Sequence, residues 1–564
     1  MKKLIIGLLC VCALVHAEKK PNVILIYTDD HGWADLGIHG MVDDVKTPNL
    51  DQLARDGVLC KDGYSTAPQC CPSRAGVITG KYQQRFGFQQ NGQGPLPLDE
   101  LTIAERMKAA GYRTGMIGKW HLEPFWIDTA WCKEQLGVEE TSSKTRLPFA
   151  KILPYYPGNR GFDEFFKGEM NRYWLNYGLD GEDRTPEGEW QNLTGYRLDI
   201  QTDAALSFID RNEKDPFFLY LAWFAPHVPM EATEKYLSRF PGEMPERRRY
   251  ALAMISAMDD GLGRIRERLK KLGLEKDTII FFIADNGAPL KIHMKDIPIS
   301  FPGGAWDGSL NTPWVGEKGM VMEGGVRVPY IVTWPGTFPA GQVSDEPVLS
   351  LDVAATALDA AGQPIPDELD GISLIPHFSK AQIPFAERNL FWRFWNQGAV
   401  RRGDWKYMTL SDGREMLYDL SSDEHENKNL FSQYPEKADQ LRKAWKKWSS
   451  ELKPEEFPSS PINDSEEAWF GHYLSDSSAA AEPVAAGPLP ARYVPMDSND
   501  DQMLTLDEFV EGRTAIEEPL LKKKLNLTEE QAQERSERYR GNYRANFKKR
   551  DANKDGVLNA DELK

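Results

Sequence analysis

Cysteine is scarce in this chain, with six in 564 residues, and two of them, Cys10 and Cys12, fall in the first seventeen. Cys60, Cys70, Cys71 and Cys132 remain, too few for a disulfide framework, although a bridge from Cys60 to Cys132 or Cys71 stays open. Positive charge is also short: 68 Lys and Arg against 85 Asp and Glu leave a formal net charge of −17. No basic tract with interleaved aromatics occurs, which removes nucleic-acid binding. After the N-terminus no apolar run is long enough to span a bilayer, which leaves no transmembrane segment. Residues 1–17 carry Lys2 and Lys3, an apolar stretch and a Val15-His16-Ala17 end, and read as a signal peptide too short to span a membrane. A secreted or periplasmic location is expected.

What is present divides by texture. Residues 18–380 alternate apolar strand runs with helical patterns such as 247–272, an α/β arrangement expected to form a catalytic domain. Residues 381–473 turn to short strands with an Asp412-Gly413 turn, expected as a small antiparallel-sheet subdomain closed by a helix. Residues 474–495, rich in Ser, Ala and Pro, read as a linker. Residues 496–564 carry two twelve-residue loops with oxygen ligands at the spacing of an EF-hand. The first has Asp497, Asn499, Asp501 and Glu508; the second has Asp551, Asn553, Asp555 and Glu562. Gln502 stands where the second loop has Gly556, so the first loop is expected to bind more weakly, and the pair to hold up to two Ca²⁺ ions in a structural or adhesive role.

Four apolar runs stop at polar residues. Residues 22–27 end in Thr28-Asp29-Asp30, and residues 278–283 in Ala284-Asp285-Asn286. Residues 217–224 lead to Pro226-His227, and residues 113–117 to Gly118-Lys119-Trp120-His121. Unbroken apolar runs are what strands buried on both faces require, and ligands of parallel α/β sheets bind beyond the strands' carboxyl ends. The four tips are therefore expected to converge. Asp29, Asp30, Asp285 and Asn286 offer only hard oxygen donors, which suits Ca²⁺ or Mg²⁺.

Between the first and second of these runs in the chain lies Cys70-Cys71-Pro72-Ser73-Arg74, continuing to Gly80. Pro72 suits the first turn of a helix, where its missing N–H costs nothing, and position 70 then sits where helix N–H groups face an anion. Arg74, one turn on, can offer a fork of donors to a tetrahedral oxyanion.

The Cys70 run resembles the signature of the formylglycine-dependent sulfatases. Residues 111–122, holding Lys119 and His121, are similar to that family's second signature; His227 matches its Pro-His motif. Lys318 falls in 316–329, similar to its Lys-Gly…Glu-Gly-Gly-x-Arg-Val-Pro block, where Glu323 and Arg327 are expected to form an ion pair beneath the site. The resemblance covers residues 21 to about 430 and implies an α/β, alkaline-phosphatase-like fold with a mostly parallel central sheet. It further implies that Cys70 becomes formylglycine, whose hydrate attacks sulfur, and that one Ca²⁺ is held by Asp29, Asp30, residue 70, Asp285 and Asn286. Arg74, Lys119 and Lys318 would stabilise charge on the sulfate, His227 with Lys318 would protonate the leaving oxygen, and His121 would act as base in releasing sulfate.

The expected substrate is a sulfated carbohydrate, and the expected partner in biosynthesis is a formylglycine-generating or anaerobic sulfatase-maturating enzyme. An anionic substrate meets a chain of charge −17, so local basic charge is expected around Arg74, Lys119 and Lys318. Specificity is expected in the aromatic-rich loops at 124–177 and 291–314. Two other readings fit the same residues: a phosphonate or phosphate ester hydrolase of the same fold, and a catalytically silent Ca²⁺-dependent surface-binding protein.

Overall fold

The computed structural model describes residues 20–474, apart from 291, 294–298, 300–305, 455–456 and 458–461, together with Leu504–Thr505 and Val557–Leu558. Residues 1–17, read from sequence as a signal peptide, residues 475–495, and the expected loop ligands Asp497, Asn499, Asp501, Glu508, Asp551, Asn553, Asp555 and Glu562 lie outside the described residues. The chain divides into two units, Met1–Ser475 and Asp476–Lys564.

A ten-stranded sheet forms the centre of the first unit. Its strands lie in the order Gln342–Ser344, Val58–Cys60, Tyr330–Thr333, Thr278–Ala284, Asn22–Thr28, Phe217–Ala222, Arg113–Gly118, Glu164–Lys167, Arg172–Leu175 and Glu189–Asn192. The five from Thr278–Ala284 to Glu164–Lys167 are mutually parallel; the pairings flanking them are antiparallel. All four runs singled out in the sequence are neighbours within that parallel centre.

Burial explains why those runs are unbroken. Ile24 and Ile26 pack into a core shared with the helices Pro48–Arg55, Arg197–Arg211 and Glu246–Lys271. Val23, Leu25 and Tyr27 face the other way, into a core shared with Cys70–Thr79, Ile103–Ala109 and Asp352–Ala360. Side chains alternate across a strand, so covering both faces demands an apolar residue at every position. The fold is of the expected α/β class.

A second sheet is antiparallel throughout: Asn389–Phe394, Gln397–Arg402, Trp405–Leu410 and Glu415–Asp419 in sequence order. The helix Pro435–Ser449 lies on it through Leu441, Trp445 and Trp448. Gly398 permits this approach, since a Cβ there would stand 2.3 Å from the Trp445 ring. The same core takes in Tyr64 and Met320 to Met322, so the small sheet is fused to the segment that carries Lys318.

The cysteines answer the question the sequence left open. Cys60, Cys70, Cys71 and Cys132 are all free and buried. No bridge joins Cys60 to Cys132 or Cys71; Cys60 ends a sheet strand, whereas the other two lie on the separate helices Thr129–Leu136 and Cys70–Thr79.

Candidate active site

The four central strands end side by side, so their polar tips share one edge of the sheet. The Asp285 N–H donates to the Thr28 carbonyl at 3.0 Å, and Asp29 N–H to Ala225 O at 3.1 Å, which carries the pairing one residue past the strands. Lys119 N–H donates to Ala222 O at 2.8 Å. Gly118 is required for that last contact: its φ is +94°, and a Cβ there would fall 2.1 Å from the Ala222 carbonyl oxygen. Asp30 and His121 adopt positive φ values of 60° and 58° without being glycine, local strain of the kind that collects at functional sites.

Cys70 is the first residue of its helix, after an extended Gln69, and Pro72 lies in the first turn. Its Sγ lies 3.3 Å from Asp29 Oδ1 and 3.3 Å from Lys318 Nζ. Lys318 Nζ pairs with Asp30 Oδ1 at 2.7 Å, and Lys119 Nζ with Asp29 Oδ2 at 2.5 Å. Asn286 Nδ2 donates to Asp30 Oδ1 at 2.6 Å, and Asp30 N–H to Asp285 Oδ1 at 3.1 Å. His227 donates from Nδ1 to the Val228 carbonyl, which turns Nε2 toward Asp30 Oδ2 at 3.7 Å. Cys70, Arg74, Lys119, His227, Lys318, Asp29, Asp30, Asp285 and Asn286 thus meet in one cluster. His121 reaches its border, its ring edge-on to Phe125 and its buried Nδ1 without a partner.

Arg74 is fully buried and uses its donors inward: Nη2 to Asp285 Oδ2 at 2.8 Å, Nη1 to Lys119 O and Tyr220 Oη at 3.3 Å each. It ties two strand ends to the middle of a third strand. The local basic charge expected around Arg74, Lys119 and Lys318 exists, but each cation is already paired with a carboxylate of the cluster.

Electrostatics separates Asp29 from Asp285. Burial opposes ionisation of Asp29, yet Lys119, His227, Arg74 and Lys318 together hold its carboxyl well below the usual range. Burial and then the Asp29 charge push Asp285 up to about 8, with Arg74 pulling the other way. Burial and then Asp29 also push the Cys70 thiol well up. His121 and His227 are shifted down, chiefly by burial, so both imidazoles favour the neutral form.

Oxygens of Asp29, Asp30 and Asp285 lie within 4.8 Å of one another, all buried, and the buried Asn286 Oδ1 has no partner among the described residues. An orphaned carbonyl oxygen beside three crowded carboxylates, one of them resisting ionisation, is the donor set that a hard divalent cation satisfies. The residues present fit Ca²⁺.

Three residues of this edge carry no sequence signal of their own. Tyr220 sits mid-strand in an apolar run and looks like core. Asp307 is buried, accepts the Ser309 N–H at 3.2 Å through Oδ1 and leaves Oδ2 without a partner; burial and then Asp30 push it well up. Glu169 follows a strand of only four residues, Glu164–Lys167, too short to stand out by pattern.

Comparison with known proteins accords with this geometry. The family model described as Sulfatase matches residues 21–363, and a second, N-sulphoglucosamine sulphohydrolase, C-terminal, matches 314–453. The chain belongs to the sulfatase family, and it is a sulfuric ester hydrolase. The N-acetylgalactosamine-6-sulfatase of Mus musculus is 33% identical over 398 residues, 65% of this chain and 68% of that protein. The crystal structure of Ps i-CgsB in complex with k-i-k-neocarrahexaose superposes with a TM-score of 0.63 at 28% identity, covering 82% of this chain and 99% of that one. The phosphonate monoester hydrolase of Agrobacterium radiobacter, at 21% identity and a TM-score of 0.50 over 79% of this chain and 98% of that one, shares the alkaline-phosphatase-like fold.

Proposed function

We propose that this protein hydrolyses sulfate monoesters on sulfated carbohydrate, with Cys70 as the precursor of a formylglycine and one Ca²⁺ held by Asp29, Asp30, Asp285, Asn286 and residue 70. The observation that carries this is the position of Cys70 Sγ, at a helix start and 3.3 Å from both Asp29 and Lys318. As a thiol it is a poor nucleophile, because burial and Asp29 disfavour the thiolate. Converted to formylglycine, it supplies an aldehyde hydrate as nucleophile, while Ca²⁺ supplies charge stabilisation on the sulfate oxygens.

The chain's own residues account for the remaining work. Lys119 and Lys318 are fixed ammonium groups that stabilise charge without reorganising, and Arg74 holds Asp285 and the Lys119 backbone in place for them. His227 and Lys318 are the more exposed members, with side chains 22% and 13% accessible, so they face the side where a leaving oxygen takes up a proton. His121, kept neutral by burial, is suited to accept a proton when sulfate departs.

The carbohydrate assignment rests on the names of the relatives, one acting on N-acetylgalactosamine 6-sulfate and one solved with neocarrahexaose. Export through residues 1–17 and maturation by a formylglycine-generating or anaerobic sulfatase-maturating enzyme complete the reading, with 18–380, 381–473 and 474–495 as catalytic domain, small-sheet subdomain and linker. For 496–564 we read an EF-hand pair. Its support is a two-residue antiparallel pairing of Leu504 with Leu558 and Thr505 with Val557. Leu504 and Leu558 are each the eighth residue counted from Asp497 and Asp551, so equal positions of the two loops face each other.

The mass of the Cys70 peptide, taken with turnover of an aryl sulfate and of N-acetylgalactosamine 6-sulfate, tests the proposal. An aldehyde at residue 70 with sulfate release supports it. An intact thiol in folded protein from the native host favours a silent surface protein, and faster cleavage of an aryl phosphonate or phosphate diester favours the other hydrolase.

A further inference from the structure

Beside the cluster, the parallel centre ends with the strand Glu164–Lys167, whose last residue is level with Gly118. The turn that follows is pinned by its backbone. Gly168 N–H donates to Gly118 O, Gln201 Nε2 to Gly168 O and Arg197 Nη1 to Glu169 O, each at 2.9 Å. The Glu169 carboxylate, by contrast, has no hydrogen bond or ion pair with any described residue. It is half-buried and follows Gly168, whose bond to Gly118 O sets this turn beside the segment that carries Lys119.

Three residues on, Arg172 starts the returning strand opposite Asn192, at the same end of the sheet. It is exposed, and among the described residues no carboxylate pairs with it. Its guanidinium lies 4.5 Å from the centre of the Trp190 ring, which is itself 38% exposed, and Met170 between Glu169 and Arg172 is 50% exposed. The turn thus displays a carboxylate and a guanidinium with no ion-pair partner among the described residues, and Trp190 of the next strand backs the guanidinium. Preorganised, unpaired polar groups of this kind give a binding site its specificity. Carboxylates accept from sugar hydroxyls, and arginine forks match sulfate and carboxylate groups.

We propose that residues 168–172 and Trp190 form a substrate subsite. Glu169 accepts hydrogen bonds from hydroxyls of the sugar that carries the scissile sulfate, and Arg172, backed by Trp190, binds the anionic group of the neighbouring unit. The substrate is then an oligomeric anionic glycan with a free hydroxyl near the sulfate attacked. A second sulfate in that hydroxyl's place is repelled by Glu169.

The inference rests on the sulfatase reading but is tested apart from it, by calorimetry on full-length Cys70→Ala protein, which binds without turnover. The probes are N-acetylgalactosamine 6-sulfate, an oligosaccharide extending it by a uronic acid unit, and neocarrahexaose, whose added anions are sulfates. The expected result is that at least one oligosaccharide binds about tenfold more tightly than the monosaccharide, that Arg172→Ala removes this gain, and that Glu169→Ala weakens both by about tenfold. Which oligosaccharide gains tells a carboxylate from a sulfate at Arg172. Equal binding of all three probes by the parent, or an oligosaccharide gain that survives Arg172→Ala, overturns the subsite. Matured protein that releases no sulfate from an aryl sulfate overturns the sulfatase reading, and leaves the calorimetric result to be judged by itself.

Discussion

Two clusters of buried charge lie within one catalytic unit and invite comparison. At the sheet edge, Asp29, Asp30 and Asp285 face Arg74, Lys119 and Lys318. Between the two sheets, Asp62, Glu323 and Glu426 face Arg327, Arg401 and Lys406. Formal charges balance three against three in both, and each contains a carboxyl pushed upward mainly by burial: Asp285 to about 8, and Glu426 to about 7. Balanced burial of charge does not by itself mark a functional site.

What stands beside the ions separates them. Lys406, Glu323 and Glu426 have inaccessible side chains, and Lys406 bridges the two glutamates at 2.8 Å each. Tyr64 Oη donates to Glu323 at 2.6 Å, so Lys406 and the two glutamates form a closed joint between the small sheet and the large one, while Asp62, Arg327 and Arg401 line a cavity of about 510 Å³. The first cluster opens through His227 and Lys318, leaves Asn286 Oδ1 and Arg74 Nε without partners, and places Cys70 within reach of its ions. Unmet hydrogen-bonding capacity beside solvent is capacity for a ligand.

Substitutions should separate the two clusters by the quantity they change. Cys70→Ala is expected to lower aryl sulfate turnover by about 10⁴-fold or more, the scale of losing a nucleophile, with little change in the denaturant midpoint. Lys406→Met strands two glutamates in the closed joint and should cost about 3–5 kcal/mol of stability in a urea titration. An edge cluster that proved as sensitive in stability as the joint would erase the distinction. Gly118→Ala drives a Cβ toward the Ala222 carbonyl and displaces Lys119, so turnover should fall about 100-fold, a loss that shows in kcat.

The smallest effect concerns pH. Burial raises Glu426 against the pull of Lys406, from 4.5 unfolded to about 7 folded. Its contribution is fully present below pH 4.5 and is lost as pH rises through 7, so Glu426→Gln should gain about 3 kcal/mol over the parent at pH 8 relative to pH 4.5. Parallel stability profiles for the two proteins would show that the joint holds Glu426 ionised throughout.

The sequence disclosed the edge cluster far better than the joint. Each strand ending in Asp29, Asp285, Lys119 or near His227 is an unbroken apolar run with a polar stop, so register and position can be read along one segment. Glu323 and Arg327 were expected as a pair through the resemblance of residues 316–329 to a family block, and they meet at 3.4 Å. Asp62, Arg401, Lys406 and Glu426 were not. Arg401 is 339 residues from its partner Asp62 and Lys406 is 83 from Glu323, and only the packing of two sheets brings them together. Tyr220 was hidden for a similar reason, since a tyrosine in an apolar strand shows its hydroxyl's partner only when Arg74 arrives from another element.

By itself the sequence determined the alternation of strands and helices, the continuous burial of the central strands and the residue types at their ends. These follow from local periodicity and from the solvation cost of polar groups, both written residue by residue. Only the tertiary structure decided that Arg74 faces inward to Asp285, that Glu169 and Arg172 share a turn without an ion-pair partner among the described residues, and that one of two equally charged clusters adjoins Cys70. Those are facts about distance between segments remote in the chain, and strand order, which sets such distances, is encoded in no single segment.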